Sequence, residues 1–191
     1  MKHILFDTDG VIVRSDMWSN EYCRRTGAST EVMIPFFRDL FGDCLVGKSD
    51  LKEVIKPYLT LWNWKGTVEE YLDEWFRYEN KIDQKLVEKI QELRKAGIEC
   101  HIATNQEKYR LTYLRNEMGF AKHFDSVFCS CELGCKKPQR EFYEKILHIL
   151  GTNAGEVLYL DDAEENIETA KKLGINAVLY RDVSDFDKMQ I

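Results

Sequence analysis

No apolar run in this 191-residue chain reaches the roughly 18 residues that a membrane-spanning helix needs, so a membrane partner is not expected. A basic stripe is also missing. Lys and Arg number 27 against 33 Asp and Glu, a formal net charge of −6, which argues against nucleic acid as a partner. The same acidic balance suits a site that takes up a phosphate only through a cation. There are six cysteines, but no standard zinc spacing and no neighbouring pair of histidines. Cys129, Cys131 and Cys135 form the one cluster worth weighing, and Cys129 closes a strand-like run, where a cysteine serves as a small buried hydrophobe. Lys2-His3 leads into such a run rather than into a signal peptide. The expectation is therefore a soluble, cytoplasmic protein with reduced thiols, either a monomer or a small homo-oligomer.

What is present is an alternation of short apolar runs and helical segments closed by glycine. Residues 4–6, 98–103, 126–129, 157–160 and 177–180 read as strands. Helices are expected over 83–96 with Asp83 as N-cap, 107–118 ending at Gly119, 139–150 ending at Gly151 and 163–173 ending at Gly174. This grammar predicts an α/β fold, a three-layer, doubly wound parallel sheet of Rossmann-like type. Between Val13 and about Lys81 it changes: strand alternation disappears and helical stretches take over. Thr67-Val68-Glu69-Glu70 is a capping box, Ser49 is expected to cap another helix, and Pro35 and Pro57 each mark a helix start, end or kink. The expected organisation is a core of residues 1–13 and 82–191 with a helical lobe, 14–81, spliced in. The polar tail from Asp182 to Ile191 is expected to pack loosely.

Polar groups follow the strand-like runs. Asp7 and Asp9 flank Thr8 directly after Ile4-Leu5-Phe6, and on extended chain they would project side by side from the strand's carboxyl end. Two carboxylates so close call for a cation, and oxygen-only ligands favour magnesium. Thr104 follows the second run, Lys137-Pro138 the third and Asp161-Asp162 the fourth. Acid, hydroxyl, lysine and acid pair in that order resemble the haloacid dehalogenase (HAD-like) hydrolase superfamily, and phosphatase-like members in particular, across nearly the whole chain.

That resemblance implies a phosphatase acting on a small phosphorylated metabolite, with Mg2+ as cofactor and the inserted lobe as a helical cap over the substrate. It implies Asp7 as nucleophile, forming an aspartyl-phosphate, and Asp9 as the acid and base that serves the leaving group and then water. Thr104, the backbone amide of Asn105 and Lys137 would bind the phosphoryl group. Asp7, the Asp9 carbonyl, Asp161 and Asp162 would hold the metal, with Asp161 direct and Asp162 acting through water or orientation. Asn166 would steady this acid loop, while Glu164 and Glu165 face solvent. True haloacid dehalogenases resemble this chain but lack the second aspartate, so Asp9 favours phosphate chemistry. A sugar phosphomutase and a non-catalytic binding protein on the same scaffold are the alternatives, although neither an acid nor the lysine is missing. All four tryptophans (Trp18, Trp62, Trp64, Trp75) fall in the lobe. Trp75 is read as core, whereas Trp62 and Trp64, in a loop-like Trp-Asn-Trp-Lys-Gly stretch, are the candidates for substrate contact. Arg14 is a candidate for a second anionic group.

Overall fold

The computed structural model describes residues 1–187. Among them, β1 (His3–Phe6), β2 (Glu99–Thr104), β3 (Ser126–Cys129), β4 (Val157–Asp161) and β5 (Asn176–Leu179) form one sheet, entirely parallel, in the order β3-β2-β1-β4-β5. The doubly wound α/β fold expected from the alternation is the fold observed, and strand limits differ from expectation by a residue or so. The chain runs outward from β1 through β2 to β3, then returns to β4 on the other side of β1. The sheet's switch point therefore lies between β1 and β4, where open parallel sheets place their ligands.

Alternating strand residues feed two apolar layers. Ile4, Phe6, Cys100, Ile102, Leu158 and Leu160 pack on one face against α5 (Gln84–Lys95), α6 (Lys108–Asn116) and α7 (Phe120–His123). Leu5, Ala103, Val157 and Tyr159 pack on the other against α9 (Arg140–Leu150) and α10 (Glu164–Lys172). Burying each of the large apolar side chains on these faces contributes roughly 1.5–3 kcal/mol. Strands covered on both sides are apolar almost throughout, which is why β1 and β4 are buried at every position.

Residues 18–78 form a separate helical cluster: α1 (Trp18–Thr26), a π turn at Phe36–Leu40, α2 (Phe41–Leu45), α3 (Leu51–Leu61) and α4 (Val68–Tyr78). Their core is aromatic, with Trp18, Tyr22, Phe36, Trp62 and Tyr71 all buried. The capping box at α4 forms as expected, Thr67 and Glu70 satisfying each other's backbone N–H groups. The cap of α3 is Asp50, not Ser49; its carboxylate accepts from Lys52 N–H at 2.9 Å. Pro35 precedes the π turn and Pro57 sits inside α3. The two chain crossings into this cluster run side by side, Arg14 N–H bonding to Lys81 O and Asp83 N–H to Ile12 O, each at 2.8 Å. A short α8 (Ser130–Leu133) follows β3, and near the end of the chain α11 (Val183–Asp187) buries Phe186 in the first apolar layer. The expectation of a loose tail is thus corrected for 183–187, because a single apolar anchor suffices to dock a short terminal helix; residues 188–191 lie outside the described residues. Among the described residues no helix is long and apolar enough to cross a membrane.

Candidate active site

Three neighbouring strands deliver the polar groups to one edge. Phe6 is level with Ile102 on β2 and with Leu160 on β4, so Asp7, Thr104 and Asp161 emerge together at the carboxyl ends. Asp7, Asp161 and Asp162 each place a carboxylate oxygen within 4.8 Å of the other two. The loop after β3 brings Lys137 between them: its buried Nζ lies 2.7 Å from Asp7 Oδ1 and 2.7 Å from Asp161 Oδ2. Asn105 fixes that loop by two reciprocal bonds, its Nδ2 donating to Lys137 O at 3.0 Å and its Oδ1 accepting from Lys137 N–H at 2.9 Å. Asp161 is further held by the Tyr159 hydroxyl, by Ala163 N–H at 2.8 Å and by Asn166 Nδ2 at 3.0 Å, the steadying contact expected of Asn166. The Asp162 carboxylate accepts from its own backbone N–H and presses on Gly10, where an added Cβ would lie 2.0 Å from Asp162 Oδ2. Gly10 also has φ +80°, so glycine is required twice over. Asp162 does not cap α10; Ala163 holds that position. Glu164 and Glu165 are exposed, as expected.

Asp9 sits differently from the expectation of two side-by-side carboxylates. The strand ends at Phe6 and the chain turns at Thr8–Gly10, closed by Val13 N–H to Thr8 O and Gly10 N–H to Val13 O. Period-two alternation holds only on extended chain, so Asp9 leaves the carboxylate cluster and is exposed, its Oδ2 accepting from Gln106 Nε2 at 2.6 Å. Thr8 takes the interior place instead. Its hydroxyl and that of Thr104 are fully buried and have no hydrogen-bond partner among the described residues.

The electrostatics distinguish carboxylates that share one lysine. Burial raises Asp7 well above the usual carboxylate range, Lys137 opposing it and Asp161 reinforcing it. Burial acts on Asp161 too, yet Lys137, Tyr159 and the Ala163 N–H outweigh it and the carboxyl is lowered. Asp162 is raised by burial and by the charge of Asp161. One ammonium thus faces three clustered carboxylates, and the cluster carries excess negative charge. Its donors are oxygens alone, so the residues present fit a hard divalent cation.

Residues 4–180 match the family model described as haloacid dehalogenase-like hydrolase. The chain belongs to that family. A HAD family enzyme from Bacteroides thetaiotaomicron, solved as a magnesium complex, superposes with a TM-score of 0.84 at 18% identity over 99% of both chains. A structure of that enzyme with magnesium and inorganic phosphate covers 93% of both, with a TM-score of 0.80 and 18% identity. Several relatives are named phosphatases. A sesquiterpene phosphatase from Aspergillus oryzae is 31% identical over 93 residues, 49% of this chain and 47% of that protein. A D-ribitol-5-phosphate phosphatase from Bacteroides thetaiotaomicron is 23% identical over 184 residues, 91% of this chain and 89% of the relative. The chain spans about half the length of the first of these relatives.

In this haloacid dehalogenase-like hydrolase a cavity of about 450 Å³ adjoins Asp9. Asn105, Gln106 and Glu79 border it, and Phe37, Phe41 and Trp75 form its apolar wall. Trp75 packs on the lobe's aromatic core as expected and also borders this cavity, whereas Trp62 and Trp64 do not line it. Trp62 is 1% exposed, its indole N–H bonded to Val32 O at 3.1 Å, and Trp64 bonds Thr67 O at 2.8 Å on a surface away from Asp9. Trp75 reaches the cavity because α4 is half-buried along that side, which helical spacing alone does not reveal. Arg14 is engaged by backbone, donating to Gly10 O at 2.6 Å and Arg181 O at 2.7 Å. Sequence reasoning also passed over Thr8 and Gln106. Thr8 lies between the two acids and was legible there, whereas nothing in the chain before Gln106 singles it out. The six cysteines are unpaired, and Cys129 is buried with its thiol toward Gln106 O at 3.2 Å.

Proposed function

We propose that the protein is a magnesium-dependent phosphatase that hydrolyses a small phosphoric monoester through a phosphorylated Asp7, with the helical lobe 14–81 acting as its cap. The observation carrying this reading is the carboxylate cluster around a single lysine, flanked by two buried hydroxyls that lack partners among the described residues. Asp7, the Asp9 carbonyl, Asp161 and Asp162 would hold the cation, Asp162 contributing the carboxylate with fewest other bonds. When bound, Mg2+ supplies positive charge that offsets the phosphoryl oxygens and the clustered acids.

The chain's own groups supply the rest. Thr8 N–H, at 2.7 Å, and Lys137 both engage Asp7 Oδ1, leaving Oδ2 to attack phosphorus. As the P–O ester bond breaks, Asp9 gives its proton to the leaving oxygen; Gln106 holds Asp9 Oδ2 and so orients the acid. Asp9 then takes a proton from water, which attacks the aspartyl-phosphate and frees phosphate and Asp7. Lys137, the Thr104 hydroxyl and the Asn105 amide hold the phosphoryl oxygens in line. The wall of Phe37, Phe41 and Trp75 supports a substrate whose carbon skeleton is apolar or aromatic beyond its phosphate.

The test is inorganic phosphate release from a panel of isoprenoid, aryl, sugar and nucleotide monophosphates with Mg2+. Turnover is expected for at least one compound, highest among the apolar esters, and Asp7→Asn is expected to remove it. A wild-type protein that binds Mg2+ yet releases phosphate from none of them overturns the proposal.

A further inference from the structure

At the opposite end of the sheet, β1 and β2 begin with His3 and Glu99, which are level with one another, and His101 follows two residues later. Alternation puts all three side chains on the face that carries Leu5 and Ala103. His3 Nδ1 lies 3.2 Å from His101 Nε2 and 3.3 Å from Glu99 Oε2, and His101 Nε2 lies 3.6 Å from Glu99 Oε2. We propose that His3, His101 and Glu99 form a second metal site, selective for a zinc-type transition-metal ion and separate from the carboxylate cluster.

The geometry carries the argument. Donors at about 2.0–2.1 Å from a tetrahedral ion stand about 3.3 Å apart, and the three measured separations of 3.2, 3.3 and 3.6 Å match the edges of such a face. The point equidistant from all three atoms is about 2 Å from each, the length of a zinc–nitrogen bond. The two imidazole ring centroids are 5.5 Å apart, as two rings sharing one ion require. A triangle of three lone-pair atoms has no arrangement of protons that makes all three edges good hydrogen bonds, whereas one cation satisfies all three at once. The donor set selects the metal, since two imidazoles and one carboxylate suit zinc and its transition-metal neighbours and do not suit magnesium.

The surroundings fit as well. The His101 ring is buried and packs on Phe128 with centroids 5.6 Å apart, so it is preorganised. Glu99 is exposed, with 58% of its side chain open to solvent, which gives an ion a route in and leaves water to fill the fourth position. Nearby, Asp125 is already occupied by Arg94 and by Cys100 N–H, so it does not compete for the ion. A bound ion would clip β1 to β2 at the sheet's amino end, four residues before Asp7.

The test is a calorimetric titration of Zn2+ into the full chain with Mg2+ at saturating concentration, so that the carboxylate cluster is filled. One Zn2+ per chain is expected, with a rise in Tm. Affinity should fall at least about tenfold in Glu99→Gln and in His3→Asn, and the site should be lost in the double variant. Co2+ in place of Zn2+ should give the visible absorption of a tetrahedral ion in the wild type and not in the double variant. Glu99 is exposed, so Glu99→Gln decides the question by itself if His3→Asn does not fold. No Zn2+ binding, or equal binding by wild type and Glu99→Gln, overturns the proposal; phosphatase activity enters neither outcome.

Discussion

Lys137 is the residue on which the acid cluster depends most. It is buried between Asp7 and Asp161, both of which raise its pKa against the opposing effect of burial. Lys137→Ala leaves two buried carboxylates without their cation, and we expect a loss of about 3–5 kcal/mol in urea unfolding at neutral pH. A second residue sets a pH dependence. Burial pushes the Glu107 carboxyl up from its ordinary 4.5 to about 7, against the N–H groups of Tyr109 and Arg110 that it caps. Between those values the folded protein binds the proton and the unfolded chain has released it. The stability linked to Glu107 is therefore fully present below pH 4.5 and is lost as pH rises towards 7, a change on the order of 3 kcal/mol. Unfolding measured across this range should show Glu107→Gln removing that slope.

The helix α4 faces two ways. Tyr71 and Phe76 bury into the lobe, and Trp75, between them, turns towards the cavity beside Asp9 with Phe37 and Phe41. Trp75→Leu keeps an apolar side chain there but removes the flat aromatic surface. On the best substrate it should raise KM about tenfold while kcat changes little, the signature of lost binding to the organic part and not to the reacting phosphoryl group. An equal fall in kcat at unchanged KM would move Trp75 out of the binding wall. The capping box of α4 was readable from Thr67 to Glu70 because it involves residues three apart. The side of α4 that meets the cavity was not, since it depends on where residues 36–45 come to rest.

For the molecule as a whole, a metal that binds only the folded state stabilises it. Mg2+ at about a hundred times its Kd should add about 3 kcal/mol, a Tm rise of roughly 5–10 °C that chelation reverses. Asp162→Asn should reduce that rise while raising the metal-free Tm, because it removes the repulsion between Asp162 and Asp161. The chain itself determined the α/β layering, the five strands and the acids, threonine and lysine that follow them, because strand burial and helix caps are written in neighbours a few residues apart. Tertiary structure decided the rest. It turned Asp9 out of line with Asp7, left the Thr8 and Thr104 hydroxyls without partners among the described residues, buried Trp62 and brought Trp75 to the cavity. It also set His3 against His101, which stand 98 positions apart. Local pattern reports which residues are buried, but which of them meet is decided by strand order and helix packing between segments far apart in the chain.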